Sequence, residues 1–440
     1  MSRKAKTTDA KEEATTVLVP KLRFPEFRGE EGWKEKRLGD EGDLLSSLTG
    51  KAGGDFDVGE AKFITYMNVF SNTFVDPKGL RFVDVKKDEN QNPVSSGDVF
   101  FTISSETPEE VGMSSVLLNE LENCYLNSFC ALFRFFPNKR LNPVFTGYLL
   151  RQPLVRNYFT KKAQGSTRFN LSKDVFRSLP FVVPTPAEQQ KIAECLSSVD
   201  EVIAAQARKV DALKTHKKGL MQLLFPRQGG TQPRLRFPEF QNDGEWVAKQ
   251  LEKLAQRASG HTPNKSHPEY YNGGIKWVSL ADSRRLDSGL IAETQIEISE
   301  EGIKNSSAVL HPAGTVLISR DAGVGKSAIM ASPMAVSQHF IVWRCDSRQL
   351  SNWFLYFVLQ NMKPLLEDVA TGSTIKTIGL PFFKELRVMV PSVAEQQRVA
   401  ACLTTLDALI TAEIKKLIAL KTHKRGLMQQ LFPSPEGVEA

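Results

Sequence analysis

The segment "PTPAEQQKIAECLSSVDEVIAAQARKVDALKTHKKGLMQLLFP" at 184–226 returns as "PSVAEQQRVAACLTTLDALITAEIKKLIALKTHKRGLMQQLFP" at 391–433. About 25 of the 43 paired positions are identical. Copies this far apart exceed the ~20–50 residues of a solenoid unit and mark a domain-sized duplication. Other fragments follow the same rhythm. "LRFPEF" stands at 22–27 and at 235–240, with Trp33 and Trp246 after it, and "GST" stands at 165–167 and 372–374. Residues 41–164 and 255–371 show little mutual resemblance. Each half is therefore a variable body followed by a constant tail.

The tails read as helices with defined ends. Thr185 with Glu188, and Ser392 with Glu395, place a hydroxyl three residues ahead of a glutamate. That is the spacing of a capping box, and Pro186 suits a first helical turn. Apolar residues then recur at heptad spacing: Ile192, Leu196, Val199, Ile203, Val210, Leu213, Leu220 and Leu224 in the first copy, and Val399, Leu403, Leu406, Ile410, Leu417, Leu420, Leu427 and Leu431 in the second. A 3.5-residue average held over about five heptads predicts a coiled-coil seam. Gln206 with Glu413, and Lys217 with Lys424, interrupt the seams at matching positions. Polar seam residues cost stability and can fix register. Pro226 and Pro433 stop the helices. Each helix of ~39 residues would span roughly 58 Å at 1.5 Å per residue.

Connectivity then gives an arrangement. The first helix delivers the chain from one body to the other, so a shared seam requires the second helix to run back. The expectation is a pseudo-twofold pair of bodies joined by two long antiparallel coiled-coil helices; two separate helical hairpins are the alternative. The boundaries fall as a polar arm over 1–20, a first body over 21–184, a central helix over 185–226 and the linker "RQGGTQPR" over 227–234. A second body over 235–391, a C-terminal helix over 392–433 and a tail over 434–440 complete the chain. The segment after Pro433 is expected beside the N-terminal "LRFPEF".

Composition narrows the class without naming a function. Hydrophobic content of 41% and charged content of 24% are ordinary for a soluble globular protein. No apolar run approaches the ~18–20 residues of a membrane span. Five cysteines (Cys124, Cys130, Cys195, Cys345, Cys402) form no C-x-x-C pair, which fits reduced thiols in a cytoplasm. A formal charge of +7 permits a polyanionic partner without requiring one.

Together, "GSTRFNLSKDVFRSLPFVVPTPAEQQKIA", "GSTIKTIGLPFFKELRVMVPSVAEQQRVA", the two "LKTHK" tails and "SGHTPNKSHPEYYNGGIKWVSLAD" resemble the specificity subunits of Type I restriction–modification systems. The first body has only a loose counterpart of the last stretch, "SLTGKAGGDFDVGEAKFITYMNVFSN". The resemblance implies a mixed α/β fold with two target recognition domains, each reading one half of a bipartite site in double-stranded DNA. It implies two long helices that hold the domains apart and dock two DNA methyltransferase (modification) subunits. Those subunits would use S-adenosylmethionine to methylate adenine, and two ATP-dependent restriction subunits would bring ATP and Mg. This chain would then bind no cofactor and carry no catalytic residue. Unlike bodies on like tails fit an asymmetric target rather than a palindrome.

Candidate DNA contacts come from cations and amides near turns. "SRDAGVGKSAI" at 319–329 lacks the first glycine of a Walker loop, since Arg320 stands there, and it reads as strand–loop–strand. Arg320 and Lys326 are then candidates on a basic hairpin loop, with a solvated turn as the bland reading. Around the first Gly-Ser-Thr turn lie Lys161, Lys162, Ser166, Thr167 and Arg168; the second copy supplies Thr371, Ser373, Thr374 and Lys376. Amides and hydroxyls flanked by cations suit phosphate oxygens, although a structural junction before each long helix is the plainer alternative. In the second body His261, Thr262, Asn264 and Lys265 form a polar loop, and Arg284 and Arg285 follow a strand containing Trp277, which reads as core. Lys51, Asn68 and Arg81 are the counterparts picked in the first body. His216 and His423 lie among cations near the helix ends, where they suit the macrodipole or a partner surface. No zinc-type or serine-hydrolase motif occurs.

A protein-binding coiled-coil scaffold and an enzyme using the glycine-rich loop remain as rival classes. The helical spacer makes a distinct prediction. Inserting one heptad into both helices should lengthen the spacing between two recognised DNA words by about 3 bp. Sequencing of bound sites should return the words themselves unaltered; unchanged spacing would sink the spacer.

Overall fold

A computed structural model describes residues 18–372 and 376–433. The chain forms two compact units, one built from 1–205 with 417–440 and the other from 206–416. Both divisions fall inside a long helix, Pro186–Leu224 or Val393–Leu431, each of 39 residues.

In the first unit, four antiparallel strands run in the order Gly42–Leu45, Cys130–Phe135, Val99–Thr102 and Ser114–Val116. A three-stranded sheet sets Phe56–Ile64 between Leu80–Val83 and Cys124–Leu126. The second unit repeats this plan. Ala255–Ser259, Phe340–Cys345, Val316–Ser319 and Ser327–Met330 form the antiparallel sheet, extended by Leu290–Ile291. Tyr271–Val278 is the middle of its three-stranded sheet, between Ile296–Ile298 and Ala335–Val336. Both middle strands carry a register shift near their start. The inner strands "VFFT" and "VLIS" are buried at every position. They are short apolar runs with no alternation, as strands covered on both faces are.

The constant tails join these bodies through a buried ion pair. In the first unit Arg23 meets Glu188 with two parallel bonds, Nε to Oε1 at 2.9 Å and Nη2 to Oε2 at 2.7 Å, while Trp33 Nε1 donates to Oε1 at 3.4 Å. In the second unit Arg236 meets Glu395 in the same way at 2.8 and 2.7 Å, and Trp246 donates at 3.2 Å. The glutamate hydrogen bond raises each guanidinium above its ordinary pKa despite burial. The expected capping box is thus only half formed. Thr185 and Ser392 do accept from the glutamate amides, at 3.4 and 3.3 Å. The carboxylates, however, turn to arginine, because a bidentate charge-assisted pair is stronger than a bond to a helix-end amide.

The next residue fastens the neighbouring helix. Gln189 Oε1 accepts from Asn142 N at 3.1 Å, and Asn142 caps Pro143–Leu149. Gln396 Oε1 accepts from Ser351 N at 2.9 Å, and Ser351 caps Asn352–Val369. The ends of the tails close the same junctions. Leu22 N donates to Gln430 O at 2.9 Å in the first unit, and Leu235 N to Leu223 O at 3.0 Å in the second. Phe432 packs against Trp33 and Phe145, and Phe225 against Trp246 and Phe354.

Within each unit two stretches of long helix run antiparallel. In the first, Lys424 Nζ pairs with Asp200 at 2.6 Å over the Tyr148 ring, whose hydroxyl also donates to Asp200 at 2.7 Å. In the second, Lys217 pairs with Asp407 at 2.6 Å over Phe357, and Gln206 Nε2 donates to Glu413 Oε2 at 2.6 Å. Ile192, Leu196, Val210, Val399, Leu403 and Ile410 are buried; Val199, Ile203, Leu213, Leu406, Leu417 and Leu420 are partly so.

Truncating Glu188 to Ala should strand a buried guanidinium at a cost of about 3–5 kcal/mol. The paired change Arg23→Met with Glu188→Leu should cost far less. Denaturant unfolding of the full chain measures both, and equal losses would refute the ion-pair account.

Candidate nucleic-acid interface

In the second unit the segments singled out for DNA contact meet around one turn. Arg320 N donates to His339 O at 2.9 Å, and Ile378 N donates to Arg320 O at 3.0 Å. The Arg320 side chain folds back the same way, Nε to Ile378 O at 3.1 Å. Asp321 bridges to Thr377, which pairs with Thr371 across the second Gly-Ser-Thr turn. Asp321 Oδ2 also contacts His339 Nδ1 at 2.7 Å. Thr262 Oγ1 donates to Gln338 Oε1, so the polar loop joins the cluster through the residue next to His339. Ser373 and Thr374 lie outside the described residues; Lys376 is exposed.

The glycine-rich loop connects Val316–Ser319 to antiparallel Ser327–Met330, strand to strand as read from the sequence. Gly325 N donates to Ser319 O at 3.0 Å and Lys326 N to Gly323 O at 3.2 Å, so these amides close the turn instead of cradling phosphate. Lys326 needs a correction as a DNA contact: its Nζ donates to Ser283 O at 3.1 Å and Oγ at 3.0 Å, pinning the loop. Arg284 and Arg285 are both exposed, and the buried carboxylate of Asp282 holds Arg285 at 2.5 Å. His261 and Lys265 are exposed; Asn264 Oδ1 accepts from Ser266 N at 3.1 Å in a local turn. Trp277 is buried, with Nε1 donating to His261 O at 3.1 Å.

The first unit builds the same scaffold from other residues. Ile103 N donates to Phe129 O at 3.2 Å, and Leu171 N to Ile103 O at 3.1 Å. Gln164 and Asn170 pair across the Gly-Ser-Thr turn, as Thr371 and Thr377 do. Gly165 and Gly372 have φ of +144° and +124°, which side chains rarely tolerate. Lys161, Lys162, Ser166, Thr167 and Arg168 are all exposed there, and the Arg168 guanidinium lies 5.7 Å from the Phe129 ring centroid.

Two of the three picks elsewhere in this unit, Lys51 and Asn68, are corrected. Lys51 has a side chain only 6% exposed and pairs with Glu89, whose carboxyl is held down at about 2 chiefly by that bond. Asn68 is buried: Nδ2 donates to Asp76 O at 2.8 Å, while Oδ1 accepts from Asp76 N and Asn72 Nδ2. Arg81 remains exposed, with Asp57 holding both arms of its fork. Selecting cations and amides overlooked Phe129, Gln338, His339 and Asp321. Strand pairing brings Phe129, Gln338 and His339 beside the chosen residues, and Asp321 follows Arg320 in the chain.

Comparison with known proteins agrees with this plan. Residues 30–215 and 243–422 match the family described as Type I restriction modification DNA specificity domain. The chain belongs to that family, that of the specificity subunits of Type I restriction–modification systems. It is 24% identical over 413 residues to the putative type I restriction enzyme MjaX specificity subunit of Methanocaldococcus jannaschii, covering 91% of this chain and 93% of that one. It is 26% identical over 208 residues to the EcoR124I/EcoR124II specificity subunit of Escherichia coli, covering 44% and 51%. The fold matches the crystal structure of the S subunit from M. genitalium with a TM-score of 0.56 at 16% identity, over 95% of this chain and all of that one. A structure described as showing complex assembly and conformational transition of the type I R-M system matches with 0.58 at 18% identity, over 92% and 98%. Among the described residues no helix is long and apolar enough to cross a membrane.

Truncating Asn68 to Ala should cost about 1–3 kcal/mol, because buried backbone groups lose their partners. DNA affinity at matched folded fraction should stay within about two-fold, whereas a selective loss of affinity would restore Asn68 as a contact.

Proposed function

We propose that the chain reads an asymmetric bipartite DNA site, one word per unit, and presents its long helices to modification subunits. The observation that carries this reading is a shared scaffold with different side chains at equivalent positions. The bridges Gln164–Asn170 and Thr371–Thr377 correspond in the two units, as do the turns beside them, but Ile103 and Phe129 stand where Arg320 and His339 stand in the other. Two readers of one architecture and unlike chemistry suit two unlike words. Exposed cations at the first turn suit phosphate oxygens, which position a protein on the duplex without specifying sequence.

The helices offer a partner surface. Val202 and Leu409, 50% and 44% exposed, occupy matching places in the two tails, where a helix of another subunit would cover them. In this reading two methyltransferase subunits, and two restriction subunits where the system has them, supply the chemistry with S-adenosylmethionine, ATP and Mg. This chain supplies address and assembly.

Binding of the assembled complex should weaken steeply with salt, and replacing Lys161, Lys162 and Arg168 together by Ala should lower the log–log slope by about 2–3. The recognised words should persist. Salt-independent binding would favour the scaffold reading.

A further inference from the structure

The turn that precedes the central strand of each main sheet presents one side chain outward from a rigid frame. Strand register fixes the equivalence: Cys130 pairs with Thr102 in the first unit, and Phe340 with Ser319 in the second. The residue before each is Phe129 or His339, and the carbonyl of each accepts from the residue after the paired strand, Ile103 or Arg320. Phe129 is further locked by its amide, which donates to Asn127 Oδ1 at 2.8 Å. Its ring is nevertheless 53% exposed, with the Arg168 guanidinium beside it. A large aromatic held this firmly against water gains nothing for the core, since the frame is made by backbone groups that any residue supplies.

The geometry points to this turn tip as the base-reading position of each unit, an inference that rests on the DNA-reading function proposed above. Phe129 can offer only apolar contact, and the apolar feature on a base edge in the major groove is the thymine methyl. The Arg168 beside it supplies the cation that draws such a ring toward the duplex. His339 works by different chemistry. A carboxylate can only accept, so Asp321 Oδ2 accepts the hydrogen bond from Nδ1–H, and in the neutral form of the imidazole Nε2 is then the acceptor. An outward acceptor selects a base with an exocyclic amino group, adenine or cytosine. Thr262 Oγ1 donates to Gln338 Oε1, and Gln338 Nε2 lies 3.5 Å from that nitrogen, a long contact that a base amino group would replace. The first unit would thus select thymine, and the second an amino-bearing base, at equivalent places in their words.

The test uses the full chain in complex with its modification subunit and a library of random duplexes, with bound sites sequenced. Phe129→Ala should flatten one thymine position in one word by about five-fold or more. His339→Phe should move one position of the other word toward thymine. The second word in each case, and the spacing, should stay as in the wild type. Thermal melts of both variants guard against misfolding: Phe129→Ala should leave the melting point unchanged, whereas His339→Phe takes away the Nδ1 partner of Asp321 and should lower it, so its bound sites are compared at matched folded fraction. Wild-type selection of two words with the same words from both variants would overturn this inference alone. Failure of the wild type to select any words would overturn the DNA-reading function instead.

Discussion

Each unit is organised around a carboxylate buried at the first turn of a long helix. Glu188 and Glu395 take a guanidinium on both oxygens and an indole N–H besides, with almost no access to water. An isolated carboxylate could not be held there, because its desolvation would exceed what packing returns. The arginine is therefore obligatory, and it arrives on "LRFPEF", a segment remote in sequence from the first helix turn it binds. The junction needs one helix start, one helix end and one arginine segment together. That is why those three pieces repeat nearly unchanged while the bodies between them diverge.

The bodies diverge in residues far more than in architecture. "VFFT" and "VLIS" share only their first valine, yet each is the inner strand of the same four-strand order. A buried strand asks only for apolar side chains of suitable volume, so many sequences meet the requirement. The exposed turns at the ends of these strands carry no such constraint. They are where Ile103 can exchange for Arg320 and Phe129 for His339 without disturbing the backbone bonds that hold both frames.

This division explains what could be read from the chain alone. The tails were legible because a heptad pattern, a capping residue and a terminal proline are local signals. The repeated "LRFPEF" and tryptophan were visible as a repeat, but their purpose was not, since Arg23 and Glu188 are 165 residues apart. Shared sheet topology was invisible, because short buried strands lack a distinguishing period. Among the site residues, choosing by charge misled at Lys51 and Lys326, which find acceptors inside the fold. Asn68 misled for a related reason: an amide can serve the backbone as readily as a base. The turn-tip residues were missed because one of them is a phenylalanine, a type normally assigned to the interior.

The division of the chain between the units sets an order of events during synthesis. Everything in 206–416 has been made before the last helix is finished, so the second unit can close its junction early. The first unit holds Arg23, Trp33 and Glu188 from the start but waits for Leu431 and Phe432 to fill its core. Until those residues leave the ribosome, the unit that is begun first is the last to be sealed.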